Sequence, residues 1–200
     1  MKKTELILIG ITLLALLMKL LHLPASGVLT VLSLSSISGI YMYLGFALFN
    51  NLRFRNLFKK ESYKEISTKR IVGGIGSGLA LSVSVIGILF KFQSWPGASI
   101  NLIIGIIGLI GLIIVTIISL IKMKKNTDNY YSNILKRVAG FGVICVFLLA
   151  LPTKTWLGWK FPNNPEYIQA VIHAQANPDN QGLWQKVDEE REKMYDELNK

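Results

Sequence analysis

The sequence predicts an all-α membrane protein: five transmembrane helices, built as two repeated helical hairpins plus one helix, and a short helical C-terminal tail. Three observations carry this. Hydrophobic residues make up 51% of the 200 residues and charged ones only 17%, with a mean hydropathy of +0.43, and the apolar residues fall in runs near the roughly 20 residues that a helix needs to cross a hydrocarbon core. Two stretches 72 residues apart match in spacing: Leu17-Met18-Lys19-Leu20-Leu21-His22-Leu23-Pro24-Ala25-Ser26 and Leu89-Phe90-Lys91-Phe92-Gln93-Ser94-Trp95-Pro96-Gly97-Ala98. The net charge of +10 is also segregated, because residues 1–162 carry 18 Lys/Arg against 4 Asp/Glu and residues 163–200 carry 4 against 8. Such a division fits a membrane protein with an acidic tail and not a basic nucleic-acid binder.

The first hairpin occupies residues 1–50, with spans over Glu5–Leu23 and Gly27–Phe49. Met1-Lys2-Lys3 and the following apolar run resemble a signal peptide. Lys19 falls late in that run, however, and the would-be cleavage region is the part repeated at 91–98, so the segment reads as a retained first span. Residues 51–70 form a basic loop with Arg53, Arg55, Lys59, Lys60, Lys64, Lys69 and Arg70. The second hairpin occupies 71–121, with spans over Ile71–Phe92 and Ser99–Ile121. A second basic loop, 122–137, holds Lys122, Lys124, Lys125, Lys136 and Arg137. The fifth span, 138–159, is the shortest in apolar content: Val138–Leu151 is clean, and completion of the crossing requires Lys154 to snorkel and Trp156 and Trp159 to sit among headgroups.

Short basic loops stay in the cytoplasm, which places the N-terminus and both loops inside and the proline turns and residues 160–200 outside. Trp95, Trp156 and Trp159 then all fall at the outer interface. The proline turns, Pro24 and Pro96 beside small residues such as Gly97, suit tight hairpin closure. In the tail, Asn164-Pro165-Glu166 reads as a helix start, residues 176–180 break the run, and Leu183, Val187, Met194 and Leu198 mark one stripe of a second amphipathic helix. Two short helices cannot build a core alone. The tail is therefore expected on its own membrane domain, on another copy, or on a partner.

Lys19 and Lys91 are the charges inside expected spans, where an unpaired ammonium costs about 3 kcal/mol or more. Three roles are open to them: snorkelling or turn capping, a polar contact within the bundle, or direct work on an ion or substrate. Glu5, Glu61, Glu65 and Asp128 lie at span ends or in loops, so no carboxylate is expected inside a span, and a complete proton path within this chain is not expected. Small residues at Ser33, Ser36, Gly39, at Gly74, Gly78 and at Gly105, Gly108, Gly111 suggest close helix packing, including where the hairpins meet. The glycine run 73–78 lacks a preceding strand and is not a phosphate loop. Ser77 has no base near it, since the histidines are His22, at the far end of span one, and His173, in the tail. Two isolated histidines also fall short of a zinc site, and the single Cys145 cannot form an internal disulfide. No catalytic residue, metal site or cofactor is therefore expected. The basic and aromatic residues Arg53-Phe54-Arg55 and Lys59-Lys60 read as orientation signals and anionic-lipid contacts.

The segment Leu89–Ala98 resembles the signature of the GldL family, the membrane subunits of the Bacteroidetes gliding-motility and type IX secretion motor, whose members carry a Phe-Lys-x-x-His-Trp-Pro-Gly-type turn between two transmembrane helices. The resemblance covers spans three and four and, as a diverged copy, spans one and two. There His22 matches the family's histidine and Leu23 stands where the second copy has Trp95. It implies that Lys91, and more weakly Lys19, correspond to the motor's lysine. The family's proton-carrying glutamate would fall near Leu109 or Ile37, neither of which titrates. The family's two-span layout is here doubled, and its long cytoplasmic C-terminal region is replaced by a fifth span and an outward tail. The expected function is a non-catalytic inner-membrane scaffold or accessory subunit that contacts lipid and assembles as a homo- or hetero-oligomer with membrane or periplasmic proteins. The alternative is a small repeat-built transporter or channel that meets an anion with Lys19 and Lys91.

Overall fold

Leucine- and isoleucine-rich stretches that carry their own backbone hydrogen bonds can only be helical where water is scarce, and every regular element among the described residues is a helix. The computed structural model describes residues 2–21, 23, 25–64, 66–122 and 129–198. His22 and Pro24, both assigned to the first turn, lie outside them, as do Glu65 and Asp128. The elements are α1 (Lys2–Leu20), α2 (Ser26–Phe49), α3 (Thr68–Gln93), α4 (Ala98–Lys122), α5 (Asn129–Ala150), α6 (Thr153–Lys160), α7 (Pro165–Ala176) and α8 (Gln181–Leu198). Two 3-10 turns, Phe54–Asn56 and Lys60–Tyr63, punctuate the loop between α2 and α3.

Four helices, α2 to α5, are long and apolar enough to cross a membrane. The expected first span differs from them. Helix α1 has 19 residues and bears Lys2, Lys3, Glu5 and Lys19, so its charge density exceeds that of the other four.

The fifth expected span is corrected at both ends. Helix α5 begins at Asn129, inside what reads as a basic loop, and stops at Ala150. Pro152 lacks an N–H and its ring would collide with the carbonyl four residues back, which ends the helix near its predecessor. The chain resumes as the separate helix α6. Trp159 and Trp95 remain 60% and 38% exposed, but Trp156 is 8% exposed and packs edge-on against Phe92, ring centroids 5.4 Å apart, so it is not an interfacial anchor.

Helix α3 is the axis of the bundle. It packs on α2, α4 and α5, while α1 lies against α2. Backbones come close where glycine removes the side chain. A Cβ on Gly78 would stand 2.2 Å from the Tyr41 carbonyl oxygen, and one on Gly45 would stand 2.8 Å from the Gly78 Cα. The α3–α4 contact is built the same way from Gly87, which faces Leu102, and Gly105, which faces Ser84. A hydroxyl pair, Ser38 and Ser82 with Oγ atoms 2.7 Å apart, adds a polar link between α2 and α3.

The turns use the left-handed region. Gly97 takes φ +77° and Ala25, 72 positions earlier, φ +61°. Ser94 caps α3 at φ 60°, and Trp95 folds back to donate its N–H to the Phe90 carbonyl at 3.0 Å. The tail does not stand apart: Trp156, Leu157, Tyr167, Val171, Val187 and Met194 form a second core, joined to the bundle through Phe92 and Leu151. Of the three expected locations for the tail, the structure shows contact with the chain's own bundle.

Candidate functional site

A helix leaves its last four carbonyls without partners. At the end of the bundle beside the tail, the two singled-out lysines meet this need. Lys19, 7% exposed, donates to the Phe92 carbonyl at the end of α3 (2.7 Å) and to Gln93 Oε1 (3.1 Å). Gln93 in turn donates through Nε2 to the Gly27 carbonyl of α2 at 2.8 Å, which ties three helices together. Lys91, 5% exposed, donates to the Leu151 carbonyl at 2.8 Å. That carbonyl precedes Pro152, so the chain break that ends α5 also creates the acceptor. Of the roles open to the two lysines, the geometry is that of polar contacts within the bundle at helix ends.

Lys160, in α6, lies beside Lys19. Burial, together with the neighbouring Lys19 ammonium and Arg191, pulls its pKa from the ordinary 10.5 down to about 7. The ring of Phe161 lies 4.6 Å from its ammonium.

At the opposite end, three residues that the sequence does not bring together form a second cluster. Glu5 is 5% exposed in the first turns of α1. It receives the Tyr41 hydroxyl of α2 at 2.5 Å and Arg137 Nε of α5 at 2.6 Å, and it forms an ion pair with Arg137 Nη2. Arg137 also donates Nη1 to the Asn133 carbonyl at 2.8 Å and sits over the Phe49 ring at 5.7 Å. The carboxylate thus accepts three donors and the guanidinium is held in a fork, the strong geometry for a charged pair. Glu5 lies at a helix end, as expected, but it faces the bundle and pairs with an arginine 132 residues away. The signal available in sequence was a lone acid opening an apolar run, with a lone arginine opening another.

The small residues divide. Gly74, Gly78, Gly105 and Gly108 stand against neighbouring helices, and Ser33 is buried, donating to the Thr30 carbonyl at 3.3 Å. Ser36 is exposed, and a Cβ on Gly39 or Gly111 would meet nothing within 4 Å. A three-residue spacing slips about 60° around a helix at each step, so such a run cannot stay on one face. Sequence reading missed Gly45 and Gly87, which make two of the closest approaches.

Ser77, 1% exposed, donates to the Gly73 carbonyl at 2.7 Å, so its proton is committed to the backbone. Among the described residues no group of three His, Cys, Asp or Glu comes together as a metal set. Ile37 and Leu109, where the resemblance would put a glutamate, are each 2% exposed in the apolar core.

The fold and these clusters define a helical bundle with four helices able to cross a membrane, latched by polar contacts at both ends. Comparison with family models, curated proteins and solved structures returns no match.

Proposed function

We propose that this chain is a non-catalytic scaffold or accessory subunit of a complex in a Gram-negative inner membrane, similar to the gliding-motility and type IX secretion motor subunit but not proton-conducting by itself. One observation carries the reading: Glu5, Arg137 and Lys19 each end on another helix of the same chain, and Lys91 ends on the Leu151 carbonyl just past α5. A pathway for ions or solutes needs polar groups left to meet the cargo, and the engagement of both lysines on carbonyls weighs against the transporter alternative. Buried Ile37 and Leu109 weigh against proton conduction.

In this reading the chain crosses five times, with α1 as the additional span. Its 19 residues reach about 28 Å, close to the ~30 Å core, and Leu6, Leu13, Leu14 and Leu17 point outward at 53–67% exposure. The lysine- and arginine-rich loops set the N-terminus in the cytoplasm and the tail in the periplasm. The two hairpins are copies of one unit, a reading supported by the shared left-handed turns at Ala25 and Gly97.

The tail binds the partner through its outer face, where Asp188, Glu189 and Glu192 are exposed. The test is crosslinking of the full chain in membranes, followed by mass spectrometry of what co-purifies. Reversing Asp188, Glu189 and Glu192 to lysine is expected to abolish capture while the bundle stays folded. Unchanged capture would refute the proposal, as would proteoliposome flux that disappears when Lys19 and Lys91 become methionine.

A further inference from the structure

Between α1 and α2, at the Glu5 end, the helices part enough to leave an open crevice of about 630 Å³, within the range of ligand-sized pockets. Leu8 of α1 and Ser36, Gly39 and Ile40 of α2 form its walls, and Phe54 and Phe58 of the following loop form its rim. The residues that fail to pack α2 against a neighbour are the ones that make this slot: Ser36 is exposed, and Gly39 has open space where a side chain would stand.

The rim is unusual in chemistry. Phe58 is 95% exposed and Phe54 63%. Arg53 and Arg55 flank Phe54, Lys59 and Lys60 follow Phe58, and all four are exposed. Among the described residues none of these four makes an ion pair, and the one acid in the described part of the loop, Glu61, is exposed too. Lys3 stands exposed beside Thr4, which lines the crevice from α1. An apolar slot whose rim residues Phe54 and Phe58 are flanked in the chain by exposed Arg53, Arg55, Lys59 and Lys60 matches a molecule with a long apolar chain and an anionic head.

We infer that the crevice between α1 and α2 holds one anionic phospholipid, its acyl chain along Leu8, Gly39 and Ile40 and its phosphate among Arg53, Arg55 and Lys59. This rests on the membrane reading above, with the basic loop at the bilayer surface. Cations near a membrane surface attract anionic lipid by roughly fivefold each, so three of them supply on the order of a hundredfold preference.

The test uses the full chain in mild detergent and native mass spectrometry after incubation with phosphatidylglycerol or phosphatidylcholine. One phosphatidylglycerol per chain is expected to persist where phosphatidylcholine is stripped. Replacing Arg53, Arg55 and Lys59 with glutamine, all at exposed positions, removes that preference. Gly39→Trp, which enters open space, fills the slot and releases lipid of both kinds with helical content unchanged. Millimolar inorganic phosphate leaves the lipid in place. Equal retention of the two lipids by the wild type would overturn the inference. So would unaltered retention by Gly39→Trp, displacement by phosphate alone, or a second chain seated in the crevice. A chain that never partitions into micelles or vesicles fails the membrane reading itself, whereas one that partitions but does not discriminate fails this inference alone.

Discussion

The Glu5–Arg137 pair offers the most direct test of how the bundle is closed. Arg137→Met leaves a carboxylate that is 5% exposed with only the Tyr41 hydroxyl as a neutral donor. Glu5→Gln leaves the guanidinium fork facing an uncharged amide. Breaking a buried pair from one side costs about 3–5 kcal/mol, whereas removing both partners is often close to neutral. At roughly 2–4 °C per kcal/mol for a chain of this size, each single change should lower the melting temperature by on the order of 6–20 °C. The double variant should lie well above the sum of the two losses, with a coupling of about 2 kcal/mol or more. Thermal unfolding in detergent, followed by far-ultraviolet circular dichroism over the four-variant cycle, measures this. Two single changes within 2 °C of wild type, or strict additivity, would refute the argument that this contact joins α1, α2 and α5.

Gly78→Ala should destabilise strongly because its Cβ would strike the Tyr41 carbonyl at 2.2 Å, whereas Gly111→Ala, in open space, should gain up to about 1 kcal/mol of helix propensity; the same melting assay ranks them. Lys91→Met should cost about 1–3 kcal/mol by orphaning the Leu151 carbonyl, and faster amide exchange across residues 150–160 would report it. The tail should dock more firmly as pH rises from about 7 toward 10.5. Lys160 is held at about 7 in the folded chain against 10.5 when free, so in that window the unfolded state carries the extra proton and stability climbs by up to about 1.4 kcal/mol per pH unit. Below pH 7 the penalty is constant. Fluorescence of buried Trp156 between pH 6.5 and 9.5 follows the docking, and Lys160→Met should flatten the profile.

Local hydropathy made most of the helices legible. The starts and stops of α1 to α4 lie within a few residues of their expectation, because apolar runs and the turn residues around Pro96 act over short distances. Helix α5, Asn129–Ala150, departs from its expected bounds for the same reason. Apolar and aromatic residues continue past Leu151, so composition alone hides a break that depends on Pro152. Lys19 and Lys91 were singled out by their cost in hydrocarbon, but their acceptors are backbone carbonyls, which no sequence advertises. Glu5 and Arg137 stayed unpaired on paper because each looks like an ordinary helix-end charge; only the packing of α1, α2 and α5 brings them together. Gly45 and Gly87 lack the regular spacing that drew attention to Gly39 and Gly111, yet tertiary contact uses the first pair and leaves the second in open space.

The lysine latches impose a direction on biosynthesis. Lys19 waits at the end of α1 for a carbonyl made more than 70 residues later, and Lys91 waits at the end of α3 for one made 60 residues later. Each donor is synthesised before its acceptor, so a nascent chain can seal these contacts only in the order in which the ribosome delivers the helices. Removing the first hairpin would therefore strip the clasp from the helix on which α4 and α5 pack.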